Sequence, residues 1–212
     1  MGVLTAALCF LFTLTLVAPC RYRGYNCPGY EVLKKTNEFE IRKYKSYKYA
    51  QAGGEETSFN WAANNNFMKL FIYIQGGNKE RKRIPMTVPV ICPIKKTATG
   101  EYVQNFSMLF WLDEKFQCEG CAPEPNQAKH SKNQIKIVQW EERIAYVRTY
   151  SWYATEYWVR HHERELKKSL DAAGIKEGLD YDPLMVYSAS YNQPFDILLR
   201  RNEVMFMQKQ NV

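Results

Sequence analysis

The sequence predicts an α+β fold: a distorted antiparallel barrel or sheet of eight strands, two long α-helices against it, and a ββαββ unit repeated about a pseudo-twofold axis. Two observations predict it. Strand pairs with period-2 alternation precede a stretch of helical periodicity, two more strands follow, and the whole order occurs twice. Each such unit is too small to close a core alone, so the two must share one sheet with both helices packed on it.

The first unit opens with Tyr30-Glu31-Val32-Leu33 and Phe39-Glu40-Ile41-Arg42-Lys43-Tyr44, a hairpin about Thr36-Asn37, and Tyr47 to Ala52 extends its second strand. Phe59, Ala63, Phe67, Leu70 and Ile74 recur at three- and four-residue spacing, which predicts a helix from Ser58 to Tyr73. Thr57 or Ser58 suits its N-cap, and Gly76-Gly77 its stop. Strands follow at Met86 to Ile94 and Val103 to Leu112. In the former, Pro85, Pro89 and Pro93 share one side, and Met86, Val88, Val90 and Cys92 the other. Proline removes a ladder donor, so this reads as an edge or pocket-lining strand.

The second unit repeats the order. Ile135 to Trp140 and Ile144 to Tyr150 form a hairpin about Glu141-Glu142-Arg143, and a helix from Tyr153 to Ala173 ends at Gly174. Trp158, His162, Leu166 and Leu170 mark its core-facing stripe. Met185 to Ala189 and Glu203 to Gln208 supply the last strands.

Residues 1–19 stand apart from this pattern. Met1 to Pro19 carry no charge, and Leu8 to Ala18 is apolar except for Thr13 and Thr15. That run is shorter than the roughly 20 apolar residues of a spanning helix, and it is followed at once by Arg21-Tyr22-Arg23. It fits a secretory signal peptide, which places the mature chain outside the cell with one domain over residues 28–210 and no stable membrane insertion. Cysteine usage agrees. Cys20, Cys27, Cys92, Cys118 and Cys121 lie beyond the leader, and Cys118-Glu119-Gly120-Cys121 has no second pair to complete a zinc site. A disulfide framework drawn from Cys27, Cys118 and Cys121 is expected, with Cys92 a buried free thiol. Asn105-Phe106-Ser107 matches the N-glycosylation acceptor pattern. The net charge of +7 reads as a solvated basic surface. No recognition helix or RNP-like motif accompanies it, so nucleic acid is not an expected partner.

Signals for catalysis are missing. His161 and His162 point about 100° apart on a helix and cannot share one metal, while His130 lies in a loop. No nucleophile elbow, P-loop or dinucleotide fingerprint occurs. A non-enzymatic protein is expected, with His162 a weak candidate metal ligand.

Three segments carry a resemblance: Ile84-Pro85-Met86-Thr87-Val88-Pro89-Val90, Tyr191-Asn192-Gln193-Pro194 and Arg201-Asn202-Glu203-Val204. Together, from Tyr30 to Lys209, they resemble the SOUL/heme-binding protein family in kind and in order. The resemblance implies a twisted eight-stranded barrel-like sheet with two helices. It also implies a shallow apolar cleft for heme or another porphyrin, flanked by the first helix and by the loop before the last strand. On this chain that helix supplies Phe67, Met68 and Phe71, and the loop supplies Tyr191, Phe195, Arg200 and Arg201. A porphyrin is a flat apolar disc with two propionates, so it calls for apolar walls and one or two cations at the rim. Some relatives carry histidine in Glu-Ile-Arg-His-Tyr where this chain has Lys43, and a charged lysine binds a propionate more readily than iron. Others place arginine where this chain has Asn64. Axial ligation is then left to His161, His162, Met68 or Tyr44, or is absent. The alternative is an extracellular interaction or signalling module of the same fold. In one branch of the family the second helix resembles a BH3 segment, here Leu166-Lys167-Lys168-Ser169-Leu170-Asp171, with bulky Leu170 where a small residue is expected.

Overall fold

The computed structural model describes residues 20–53, 59–126, 135–193, 195–196 and 198–209, with the side chains of 59–63 excepted. The leader, the Thr57 or Ser58 cap and His130 fall outside them. Strands β1 (Cys20–Tyr22) and β2 (Tyr25–Cys27) form a separate ribbon. Arg23 and Gly24 both have positive φ, 48° and 86°, as a two-residue hairpin turn requires, and Cys20 and Cys27 are bonded across its open end.

The remaining strands are β3 (Tyr30–Lys35), β4 (Glu40–Tyr44), β5 (Tyr47–Gly53), β6 (Val90–Lys95), β7 (Ser107–Trp111), β8 (Lys136–Trp140), β9 (Arg143–Tyr150), β10 (Met185–Ser190) and β11 (Asn202–Met207). Helix α1 spans Phe59–Ile74 and α2 spans Glu156–Ala172. The nine strands form one curled antiparallel sheet in the order β3-β4-β9-β11-β10-β6-β7-β5-β8. Exchanging β4 with β8, β5 with β9, β6 with β10 and β7 with β11 turns the last eight strands of this order into their own reverse. That is the expected pseudo-twofold ββαββ repeat, with β3 added at one edge.

The pairing within each repeat differs from the expectation. β5 does not extend β4, and β8 and β9 do not form a hairpin: β4 pairs with β9, and β5 with β8. The connections Lys45-Ser46 and Glu141-Glu142 explain this. Neither contains the Gly or Asn that a tight two-residue hairpin favours, so each chain turns a corner and finds its partner in the other half. β6 is also not an edge strand. It lies between β10 and β7 and pairs through Pro93 with Tyr187 of β10, whereas its ladder with β7 covers only Val90 and Ile91. The missing proline donor is accommodated by a short ladder inside the sheet.

Both helices cover one face. α1 packs Leu70, Tyr73 and Ile74 over Ala50, Ala52 and Phe110, and α2 packs Val159, Leu166 and Leu170 over Tyr146, Val204 and Phe206. Gly76, at φ 103°, ends α1. Gly77 donates to Ile72 O at 2.9 Å, and a Cβ there would stand 2.7 Å from that oxygen. Thr155 caps the start of α2, and Gly174, at φ 78°, ends it. The buried stripe of α2 is Val159, Glu163, Leu166 and Leu170, so Trp158 and His162 sit at its margin rather than on it. Glu163 replaces the expected apolar position because Lys96 pairs with it and Tyr102 Oη donates to it at 3.2 Å. The opposite face holds Tyr47, Tyr49, Leu109, Trp111, Val147 and Met205.

Candidate functional site

At one end of the face opposite the helices, Arg42 on β4 and Glu203 on β11 are brought together across β9. Their side chains are 1% and 0% exposed. Arg42 Nη1 and Nη2 donate to Glu203 Oε2 and Oε1, both at 3.0 Å. Arg201 Nη2 adds a bond to Oε1 at 2.7 Å, and Tyr191 Oη donates to Oε2 at 3.0 Å. Burial pushes the Glu203 carboxyl up, but Arg42 and Arg201 more than offset this and hold it below its ordinary range. Arg42 also pairs with Glu40 at 2.8 Å and lies over the Tyr30 ring at 4.4 Å.

This network floors a groove of about 760 Å³, lined by Tyr30, Lys35, Phe39, Arg200, Arg201 and their neighbours. The cations Lys35, Arg42, Arg200 and Arg201 outnumber the carboxylates Glu38, Glu40 and Glu203 at the groove, so it keeps a positive surplus. A second, apolar cavity lies among Tyr44, Tyr49, Ile91, Trp140, Met205 and Met207. Its volume of about 20 Å³ admits one water molecule and no tetrapyrrole.

The sequence-derived site residues fall into separate places. Phe67 and Phe71 are half-buried against the α1 cluster, where Phe67 meets Phe110 at 5.4 Å. Met68 is 47% exposed on the outer side of α1, next to Ile72 at 59%. Tyr191 is buried with Cys27 and Val88. Arg200 Nη1 donates to the carbonyls of Gln193 and Asp196, and Arg201 is engaged by Glu203. Phe195 is 87% exposed. Lys43 points to the helix-bearing side and pairs with Glu142 at 2.9 Å. The sequence reading missed Ile72, which extends the apolar side of α1 at i+4 from Met68, and the buried Arg42–Glu203 pair. The pair's partners are 161 residues apart, and no local pattern marks them.

His162 stacks on Tyr150 at 4.0 Å and on Trp158 at 5.9 Å, and its Nδ1 is buried with no hydrogen-bond partner among the described residues. Burial first, then His161 and Arg148, push its pKa down to about 4. An unfolded histidine titrates near 6.5. The unfolded chain therefore binds more protons in between, and stability falls as pH drops from about 6.5 to 4. With partial exposure screening the charge, the expected loss is about 1–2 kcal/mol. Urea denaturation across that range checks this, and His162→Phe should flatten the slope.

The cysteines pair as Cys20–Cys27 and Cys118–Cys121, with Cα separations of 5.0 and 5.3 Å. Cys92 is free and packs between the two helix-side clusters, where burial pushes its thiol up to about 12. Asn105 is exposed and precedes β7 rather than lying within a strand.

Comparison with known proteins decides what this architecture is. The family described as SOUL heme-binding protein matches residues 25–207. The chain belongs to the SOUL heme-binding protein family. Heme-binding protein 2 of Mus musculus is 25% identical over 173 residues, 81% of this chain and 78% of that protein. Heme-binding protein 1 of the same species is 25% identical over 171 residues, 81% and 84% of the two chains. Among solved structures, a Listeria innocua hydrolase shares 8% identity with a TM-score of 0.52, covering 84% of this chain and 94% of its own. That likeness concerns the fold alone.

Proposed function

We propose that this SOUL-family chain binds heme or a related tetrapyrrole without catalysing a reaction, as an extracellular carrier. The observation that carries the reading is the family match over residues 25–207. The surface chemistry fits the group. Met68 and Ile72, backed by Phe67 and Phe71, offer an accessible apolar side of α1 that can cover one face of the disc. Heme, when bound, would supply iron and an extended apolar disc. The residues named here would hold and orient it rather than drive chemistry on it. The uncharged run Met1 to Pro19 and the two disulfides support an extracellular location. Because Cys20 is bonded to Cys27, leader cleavage is expected before Cys20.

Hemin titration followed in the Soret region tests the function. A shifted band with a dissociation constant of about 1 μM or weaker is expected for apolar contact and propionate pairing without a strong axial bond. A spectrum identical to that of free hemin at every protein concentration would overturn the reading. Mass spectrometry of secreted, non-reduced material should begin at or just before Cys20 and show both linked peptide pairs. Finding the intact leader or four free thiols at those positions would refute the extracellular assignment.

A further inference from the structure

The most exposed large apolar side chains described are Phe195 at 87%, Leu199 at 85% and Leu198 at 77%, and all three lie in the loop between β10 and β11. Three such side chains in one loop leave considerable apolar surface open to water. Several polar groups beside it are paired from within. Arg23 Nη2 donates to the Leu198 and Leu199 carbonyls at 3.2 and 3.4 Å. Arg200 Nη1 donates to the Gln193 and Asp196 carbonyls at 2.9 and 2.6 Å. The loop's single carboxylate, Asp196, is paired with Arg23 at 3.1 Å and accepts from Asn192 Nδ2. Pairing the Leu198, Leu199, Gln193 and Asp196 carbonyls and the Asp196 carboxylate internally lowers the polar cost of bringing this tip into an apolar medium.

Aromatic residues and cations border the tip. Arg200 lies over the Tyr153 ring at 4.4 Å, Tyr153 contacts Trp152, and Trp152 is 61% exposed. On the other side stand Tyr22 and Arg23 of the disulfide-closed ribbon, with Tyr22 Oη donating to the Leu199 carbonyl at 3.4 Å. An apolar tip inside a Trp/Tyr and arginine border matches the layers of a bilayer surface: acyl region, interface and anionic headgroups.

We propose that this loop is a peripheral membrane wedge that seats the protein on anionic bilayers, with Leu198, Leu199 and Phe195 entering the interface and Arg23 at headgroup level. The net charge of +7 favours an anionic bilayer as the occupant. Seating is peripheral, and no described helix is long and apolar enough to cross a membrane.

The test is vesicle sedimentation with disulfide-intact protein, comparing phosphatidylcholine vesicles with phosphatidylcholine–phosphatidylserine vesicles at low and high salt. The expected result is partition to the anionic vesicles, weakened by salt, with a blue shift of tryptophan fluorescence on binding. The double variant Leu198→Asn/Leu199→Asn should lower the partition coefficient about tenfold. Both positions are exposed, and asparagine tolerates the positive φ of 52° at Leu199, so its melting temperature should match the wild type. Failure of the wild type to bind anionic vesicles, or equal partition of the variant, overturns the proposal. So does a wild-type dimer, lost in the variant, that never binds vesicles, because the loop is then an interface between copies. Hemin titration without vesicles reads the tetrapyrrole site separately, since neither leucine belongs to it.

Discussion

Glu203→Ala is expected to lower the unfolding free energy by about 3–5 kcal/mol, the usual cost of removing one partner of a fully buried ion pair. The magnitude follows from what remains. Arg42 is 1% exposed and keeps its charge, and Arg201 loses the same carboxylate, so one guanidinium is stranded in the interior and a second loses its partner. Tyr191 Oη also loses its acceptor. Glu40 still reaches Arg42, but it already serves Lys35. The pH dependence has a definite sign. Glu203 titrates below its ordinary value in the fold, so its contribution is complete above the unfolded carboxylate range near pH 4.3 and is lost as pH falls through the lower folded value. Urea denaturation at neutral pH measures the effect. A loss under about 1 kcal/mol would mean that both guanidiniums find other partners. Glu124→Ala, which breaks the exposed Lys79–Glu124 pair, serves as the control and should leave stability unchanged.

Met68→Glu is expected to weaken hemin binding about tenfold or more, while His162→Ala leaves the Soret shift in place. Met68 is 47% exposed on the outer side of α1, so the substitution reaches a ligand without disturbing the core. Covering its exposed surface contributes roughly 25 cal/mol per Å², which a charged carboxylate forfeits, and the new charge also repels the propionates. Phe67→Asp would be a poorer test, because Phe67 packs on Phe110 and the change would destabilise the sheet. Arg201→Glu would place a second carboxylate beside Glu203. His162 packs between Tyr150 and Trp158, and its replacement removes a stacked ring rather than part of the apolar side of α1. Equal affinity for Met68→Glu together with loss of the Soret shift in His162→Ala would assign the ligand to an axial-histidine site.

Periodicity located most of the elements. Phe67, Leu70 and Ile74 mark the buried side of α1, and Gly76 and Gly174 end the helices because a left-handed residue is needed there. The α2 stripe was displaced by one residue, since a buried Glu163 is polar by identity and apolar only by position. The strands were legible as strands, and the β3–β4 hairpin as a pair, but the partners of β5, β8 and β9 were not. The two-residue corner at Lys45-Ser46 reads in one dimension as a continuing strand and that at Glu141-Glu142 as a hairpin, because period 2 reports alternation and not the neighbour across the ladder.

The sequence by itself determined the α+β class, the doubled ββαββ order and the family, since all three depend on local pattern or on residues compared in order. An uncharged run over Met1 to Pro19 and the number of cysteines are also legible there, since both are properties of composition. Tertiary structure alone decided that β4 meets β9, that Arg42 and Glu203 share a buried bond, and that α1 and the β10–β11 loop present separate apolar surfaces. These depend on which distant strands the curled sheet brings together. Local sequence can require that a buried charge be paired, but only the closed arrangement of strands specifies the partner.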